Sequence, residues 1–162
     1  MSEEHVSLAT VYKGWDVYQQ HLITSIAPLS SEQLALRPAP HLRSIGELAA
    51  HIVGTRAGWF YLLLGEGGPD VERLTAWGDA GEVLPAAAEL VQGLETTWQV
   101  IANALARWTL SDREQLYEGT RNGRPYSLTR GWVIWHLIEH DLHHGGELSF
   151  TLGMHRLAAP DL

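Results

Sequence analysis

The sequence predicts an all-α fold: a four-helix bundle with long connecting loops and a small β-hairpin between helices three and four. Three features carry the prediction. Four long segments repeat their apolar residues at intervals of three and four, the helical period. Ser44-Ile45-Gly46-Glu47 matches the Ser-x-x-Glu capping box, which satisfies free backbone donors at a helix start. Asn122-Gly123 is a strong short hairpin signal lying between two helical segments.

The first helix reads from Leu8 to Ile26, with apolar residues at 8, 11, 12, 15, 18, 22, 23 and 26, and Pro28 closes it. The connection "APLSSEQLALRPAPHLR" contains three prolines and one helical turn at SSEQL. The second helix runs from Ser44 to about Leu64 with an inward stripe of Leu48, His51, Ile52, Thr55, Trp59 and Leu62/Leu63, and "GEGGPD" stops it. "VERLTAWGDAG" reads as a helical turn carrying Trp77 across one end of the fold.

The third helix fits Val83 to Trp108, seamed by Leu84, Val91, Leu94, Trp98, Ile101, Leu105 and Trp108. Pro85 is tolerated in its first turn, where amides have no helical acceptor. "QLYEGTRNGRPYSL" forms a two-stranded flap around Asn122-Gly123. The last helix extends from Ser127 or Thr129 to Leu152, with Gly153 in the left-handed cap position. Gly145 and Gly146 weaken its middle by roughly 1 kcal/mol each relative to alanine. They point to the close approach of another helix, a ligand or a partner subunit, against the plainer alternative of a kink. The connections of roughly 17 to 20 residues exceed what an up-and-down bundle needs, so they cover an end of the bundle and line a cleft.

At 162 residues the chain fits one domain, 1–162, and seven tryptophans with 45% hydrophobic residues supply its core. Eleven basic against nineteen acidic residues give a net charge of −8 with no Lys/Arg cluster, which argues against nucleic-acid binding. The absence of cysteine excludes disulfides, thiolate nucleophiles and Cys-based metal sites, so any metal must be held by His, Asp or Glu. The beginning "MSEEHVSLAT" lacks a signal peptide's basic and apolar regions, and no apolar run approaches membrane-spanning length. The expectation is a cytoplasmic protein with no membrane contact.

The chemistry concentrates in "HLIEHDLHHGGELSF", which packs four of the nine histidines into nine residues. At about 100° per residue, His136, His140, His144 and His143 fall at roughly 0°, 40°, 80° and −20°, one broad helix face. Residues four apart stack one turn above each other, so 136/140 and 140/144 are both able to chelate, and spacing does not choose between them. A third ligand must come from elsewhere. His51, on the inward stripe of helix two, is the candidate, because an inward imidazole needs a partner. Taken singly it is ordinarily a hydrogen-bonded core residue; with the cluster, a shared divalent ion explains the group better, although His136 and His143 individually read as ordinary histidines. Three imidazoles with no fourth protein ligand leave coordination positions for water or substrate, the catalytic arrangement. Imidazole suits zinc, nickel, iron and copper alike.

Glu147, at about 20° on the same face, is positioned to orient a histidine ligand or act as a base, while Asp141 at about 140° points away from the ion. "HLIEH" also matches the H-x-x-E-H pattern of inverted zinc peptidases with Glu139 as base, although a compact bundle has little room for a peptide groove. Trp132 and Trp135 either wall the cleft or pack in the core. Arg124, Tyr126 and Arg130 around the flap either meet an anionic substrate or remain solvated surface. His5, His21, His41 and His155 lack spacing partners and stay outside the site.

The segments "HLIEHDLHHGGELSF" and "GELAAHIVGTRAGW" together resemble the DinB/YfiT-like superfamily, whose last helix has the form WHLxEHxxHHxGxxxxxLG. Trp135-His136, Glu139-His140, His143-His144, Gly146 and Leu152-Gly153 fit that pattern, and the likeness covers nearly the whole chain. Where the family often has arginine before the late glycine, this chain has Gly145. The resemblance implies a four-helix bundle and a divalent metal (zinc, nickel or iron) held by His51, His140 and His144, with His136 and His143 as neighbours. It further implies a small-molecule substrate, a low-molecular-weight thiol cosubstrate in some relatives, and frequent homodimers. The resulting expectation is a thiol-dependent transferase with a metal-activated thiol. A metal-dependent hydrolase using activated water, or a non-catalytic metal-stabilised bundle serving sensing or partner binding, are the alternatives.

Overall fold

The computed structural model describes residues 6–78 and 84–160. The fold is mostly helical, with a two-stranded antiparallel hairpin. Its first helix comes in two pieces, α1 (Leu8–Val11) and α2 (Lys13–Ile26), separated at Tyr12, whose φ of −106° and ψ of 27° leave the helical region. The break corrects the single helix expected from apolar spacing. Leu8 is tied by its N–H to the carbonyl of Trp108 at 2.8 Å, and Ser7 bridges to Thr109, so the first turn follows the end of a distant helix rather than the axis of α2.

The SSEQL turn forms α3 (Ser31–Leu34). The Ser44–Glu47 capping box opens α4 (Ile45–Ala57), with Ser44 N–H donating to Glu47 Oε2 at 2.7 Å and Glu47 N–H donating to Ser44 Oγ at 3.2 Å. Beyond Ala57 the helix widens into a π-turn over Gly58–Leu63. Leu64 N–H there donates five residues back, to Trp59 O at 3.1 Å. The extra residue per turn shifts the phase. Phe60 and Leu64 become buried, whereas Leu62, expected on the inward stripe, is 72% exposed.

Next come α5 (Pro69–Glu72) and a 3-10 turn over Arg73–Gly78, which carries Trp77 as expected. Trp77 packs so closely on the following helix that a Cβ at Gly93 would meet its ring at 2.9 Å. That helix, α6 (Ala87–Arg107), begins later than the expected Val83, which lies outside the described residues. Ala86 is its N-cap and donates its N–H to Glu89 at 2.8 Å, so Pro85 precedes the helix instead of occupying its first turn. Proline at this position holds the residue before it extended.

The hairpin pairs β1 (Leu116–Arg121) with β2 (Arg124–Thr129) in the register Leu116↔Thr129 to Arg121↔Arg124. Asn122 at φ 53° and Gly123 at φ 74° make the two-residue turn whose twist suits antiparallel strands. Thr129 then caps α7 (Arg130–Met154) by accepting Trp132 N–H at 3.1 Å. Gly153 remains helical and Arg156, at φ 58°, takes the left-handed position predicted for that glycine.

Helix α4 packs against α6 and α7, and α2 against α6. The core divides into three zones. An aromatic zone near the hairpin contains Trp15, Phe60 and Trp108; a central one contains Tyr18, Ile52, Val53 and Leu94; the far one contains Ile26, Leu48, Leu90 and Leu148. Among the described residues, no helix is long and apolar enough to cross a membrane.

Candidate metal centre

Helices α4 and α7 run antiparallel, and their facing residues form successive layers. Leu48 shares an apolar cluster with Leu148. One turn on, His51 meets His140 and His144, with ring centroids 4.8 and 4.7 Å away. Arg56 then faces Asp141, and Trp59 lies 5.1 Å from His136. The His140 and His144 rings are 4.4 Å apart, whereas His136 stands 6.3 Å from His140. Spacing left the 136/140 and 140/144 pairs open; the structure brings 140 and 144 together with His51.

His51 Nε2 and His140 Nε2 are 3.1 Å apart. At that distance two imidazole nitrogens need a proton or a cation between their lone pairs. Ligand atoms around a tetrahedral zinc at about 2.0–2.1 Å stand roughly 3.3–3.4 Å from one another, close to the observed separation. Glu147 Oε2 lies 2.7 Å from His144 Nδ1. A carboxylate there accepts the Nδ1 proton and leaves the Nε2 lone pair available. Ligand-capable atoms of His51, His140 and His144 all fall within 4.8 Å of one another, and each residue is partly buried.

Electrostatics favour neutral rings. Burial, reinforced by the neighbouring His144, His51 and His136, pushes His140 down to about 3. His144 is also lowered, chiefly by burial, with the hydrogen bond to Glu147 acting in the opposite direction. His140 Nδ1 is buried without a hydrogen-bond partner. Two imidazoles favoured in the neutral form, converging with that of His51, make a donor set whose chemistry fits a divalent cation.

Directly beneath lies a buried network that the sequence reading did not find. Asp141, expected merely to point away from the ion, accepts hydrogen bonds from Arg56 Nη2 at 2.6 Å, Arg56 Nε at 3.0 Å and Trp15 Nε1 at 2.6 Å. Arg56 Nη1 donates to Gln19 Oε1 at 2.6 Å, and Gln19 Nε2 donates to Leu94 O at 3.1 Å. The Arg56 and Asp141 side chains are both fully buried. One continuous set of hydrogen bonds thus ties α2, α4, α6 and α7 together. Gly145 reflects the same packing, since a Cβ there would collide with Tyr18 of α2, while Gly146 faces open space.

The remaining candidates disperse. His136 and Glu139 are 3.8 Å apart at the flank, and exposed His143 is 3.6 Å from Glu147. Trp132 and Trp135 are 42% and 57% exposed, so neither is a core residue. Arg130 is committed to structure: its guanidinium lies 4.3 Å over Trp108 and donates to Tyr117 Oη at 2.7 Å. Arg124 is exposed and Tyr126 covers Gly119 within the hairpin. His155 Nε2 lies 3.0 Å from Arg37 O, far from the cluster in the fold, and His5 is outside the described residues.

A mostly helical fold with three imidazoles converging between two antiparallel helices defines the class. The chain belongs to the DinB superfamily, whose family model matches residues 13–148. A crystal structure of a DinB-like protein from Bacillus cereus ATCC 10987 is similar to it, with a TM-score of 0.73 and 20% identity over 98% of this chain and 99% of that one. At that identity the likeness establishes the fold alone. No curated protein matches the chain.

Proposed function

We propose that the chain is a metal-dependent enzyme built on a four-helix bundle, with one divalent ion held by His51, His140 and His144 and a small-molecule substrate entering beside it. The convergence of three imidazoles, with His51 and His140 nitrogens 3.1 Å apart, carries this reading. Among the described residues, this group of potential ligands has three members and draws no carboxylate, which leaves room for an external ligand. When bound, such an ion lowers the pKa of a thiol or water at neutral pH.

The rest is done by the chain's own groups. Glu147 orients His144 through Nδ1 and, being half-exposed, is positioned to take a proton from an entering thiol. The Arg56–Asp141 pair fixes α4 against α7 and hence His51 against His140. Since the protein has no cysteine, a thiol nucleophile must arrive as a cosubstrate. Thiol transfer to an electrophile, the chemistry that the family resemblance implies, is the favoured reaction, and hydrolysis is the outcome if water alone is activated.

Elemental analysis of untagged protein, repeated for His140→Ala and His144→Ala, tests the site. Near one equivalent of zinc, nickel or iron, lost in both variants, supports it; no metal on purification or titration sinks it. In the cobalt-loaded protein, a sulfur-to-metal charge-transfer band on adding a small thiol distinguishes transfer from hydrolysis.

A further inference from the structure

His136 belongs to the helix face that carries the ligands, yet the proposed metal centre does not use it. Its ring stacks on Trp132 at 4.9 Å and 12°, and Trp59 meets it edge-on at 5.1 Å. Trp59 and Trp132 are themselves 5.8 Å apart. The three rings form one wall across the π-turn and α7, with Trp59 half-buried against the aromatic core zone that Phe60 enters.

This wall adjoins the ligand set. Around α7, Trp132, His136 and His140 fall at roughly −40°, 0° and 40°, so they follow one line along the helix. Core packing does not account for the tryptophan, which keeps 42% of its surface exposed, and Leu62, beyond Trp59 on the π-turn, is 72% exposed. Uncovered tryptophan is a large apolar surface whose rings prefer to stack against another ring. The opposite end of the histidine line is polar, closed by Glu147 and His143. A cationic group on the wall would face the charge of a bound divalent ion at short range, whereas a neutral ring would not.

We propose that Trp59, Trp132 and His136 form the recognition subsite for a planar, uncharged aromatic group on a small molecule whose other end coordinates the ion at His51, His140 and His144. This inference rests on the metal reading above and specifies its substrate class: compounds that join a metal-binding head to an aromatic ring.

The test measures binding of acetohydroxamic acid and benzohydroxamic acid to the zinc-loaded protein by calorimetry. The two probes share a metal-binding head and differ in the ring. The parent protein is expected to bind the aromatic acid about tenfold more tightly. Trp132→Ala should remove most of that preference and leave acetohydroxamic acid within about twofold, because any intrinsic difference between the acids cancels between variant and parent. Trp135→Ala, which removes a more exposed tryptophan off the line, should keep the preference and controls for general damage. Equal affinities in the parent, or a preference that survives Trp132→Ala, overturn the aromatic subsite alone. If the protein takes up no zinc, or the zinc form binds neither acid, the metal reading fails and this one with it.

Discussion

Asp141→Asn should destabilise the protein severely, although it changes one atom's chemistry and almost no volume. The carboxylate accepts three strong hydrogen bonds, from Arg56 Nη2 at 2.6 Å, Arg56 Nε at 3.0 Å and Trp15 Nε1 at 2.6 Å, with both ionic partners fully buried. Asparagine offers one acceptor oxygen, turns an amide N–H₂ toward donors, and leaves the Arg56 cation without a counter-charge. Removing one partner of a buried pair costs roughly 3–5 kcal/mol. In a domain of this size each kcal/mol moves Tm by about 2–4 °C, so Tm should fall by roughly 6–20 °C. Urea unfolding of parent and variant, followed by tryptophan fluorescence and circular dichroism, measures the loss. The double variant Arg56→Met/Asp141→Leu, which removes both charges, should regain only part of it, because Trp15 Nε1 and Gln19 Oε1 then lose their partners. A loss below about 1 kcal/mol, the range of exposed ion pairs, would refute the network's central place in the fold.

Gly145→Ala and Gly146→Ala should act in opposite directions. The first drives a Cβ into Tyr18 and should cost about 1–3 kcal/mol, while the second fills open space and should gain up to about 1 kcal/mol, both read from thermal melts. In the chelator-treated protein, His140 titrates far below its unfolded value, at about 3, so between roughly pH 6.5 and 3 the unfolded state binds more protons. Stability should therefore hold above that window and decline as pH falls through it; a denaturant series in which His140→Ala shows the same acid limb as the parent would contradict this. Zinc at a hundredfold excess over its Kd should stabilise the parent by about 2.7 kcal/mol and leave His51→Ala unchanged. Glu147→Gln keeps an acceptor for His144 Nδ1 but loses the charge, and zinc affinity measured by chelator competition should fall about 10–100-fold.

The capping box at Ser44, the Asn122-Gly123 turn and the histidine face of α7 were legible because each is a local signal: a side chain and backbone three residues apart, two φ values, one helix face; the choice of His140 and His144 with His51 came from the family resemblance. Departures arose where distant contacts overrode local period. Tyr12 breaks the first helix because Leu8 follows Trp108, and the π-turn moves Leu62 outward in favour of Phe60 and Leu64. Asp141 lies off the histidine face, as its azimuth indicates, but its partners were not legible from a comparison with the histidines alone. At about 140° it coincides with Ile134 at roughly 160° and Leu148 at roughly 120°, the buried face, and an acid there requires a buried base. Arg56, alone among inward apolar residues on α4, was the matching signal.

The contacts that define the centre are far apart along the chain: His51 and His140 are separated by 89 positions, Arg56 and Asp141 by 85, and Trp15 and Asp141 by 126. A ribosome that has not yet released α7 holds a nascent chain with an unpaired Arg56 and a single histidine of the trio. Such an intermediate can neither close its polar interior nor capture an ion. Under the proposed function, metal acquisition is thereby deferred until α7 has emerged, and a truncated product lacking α7 would compete poorly for divalent ions.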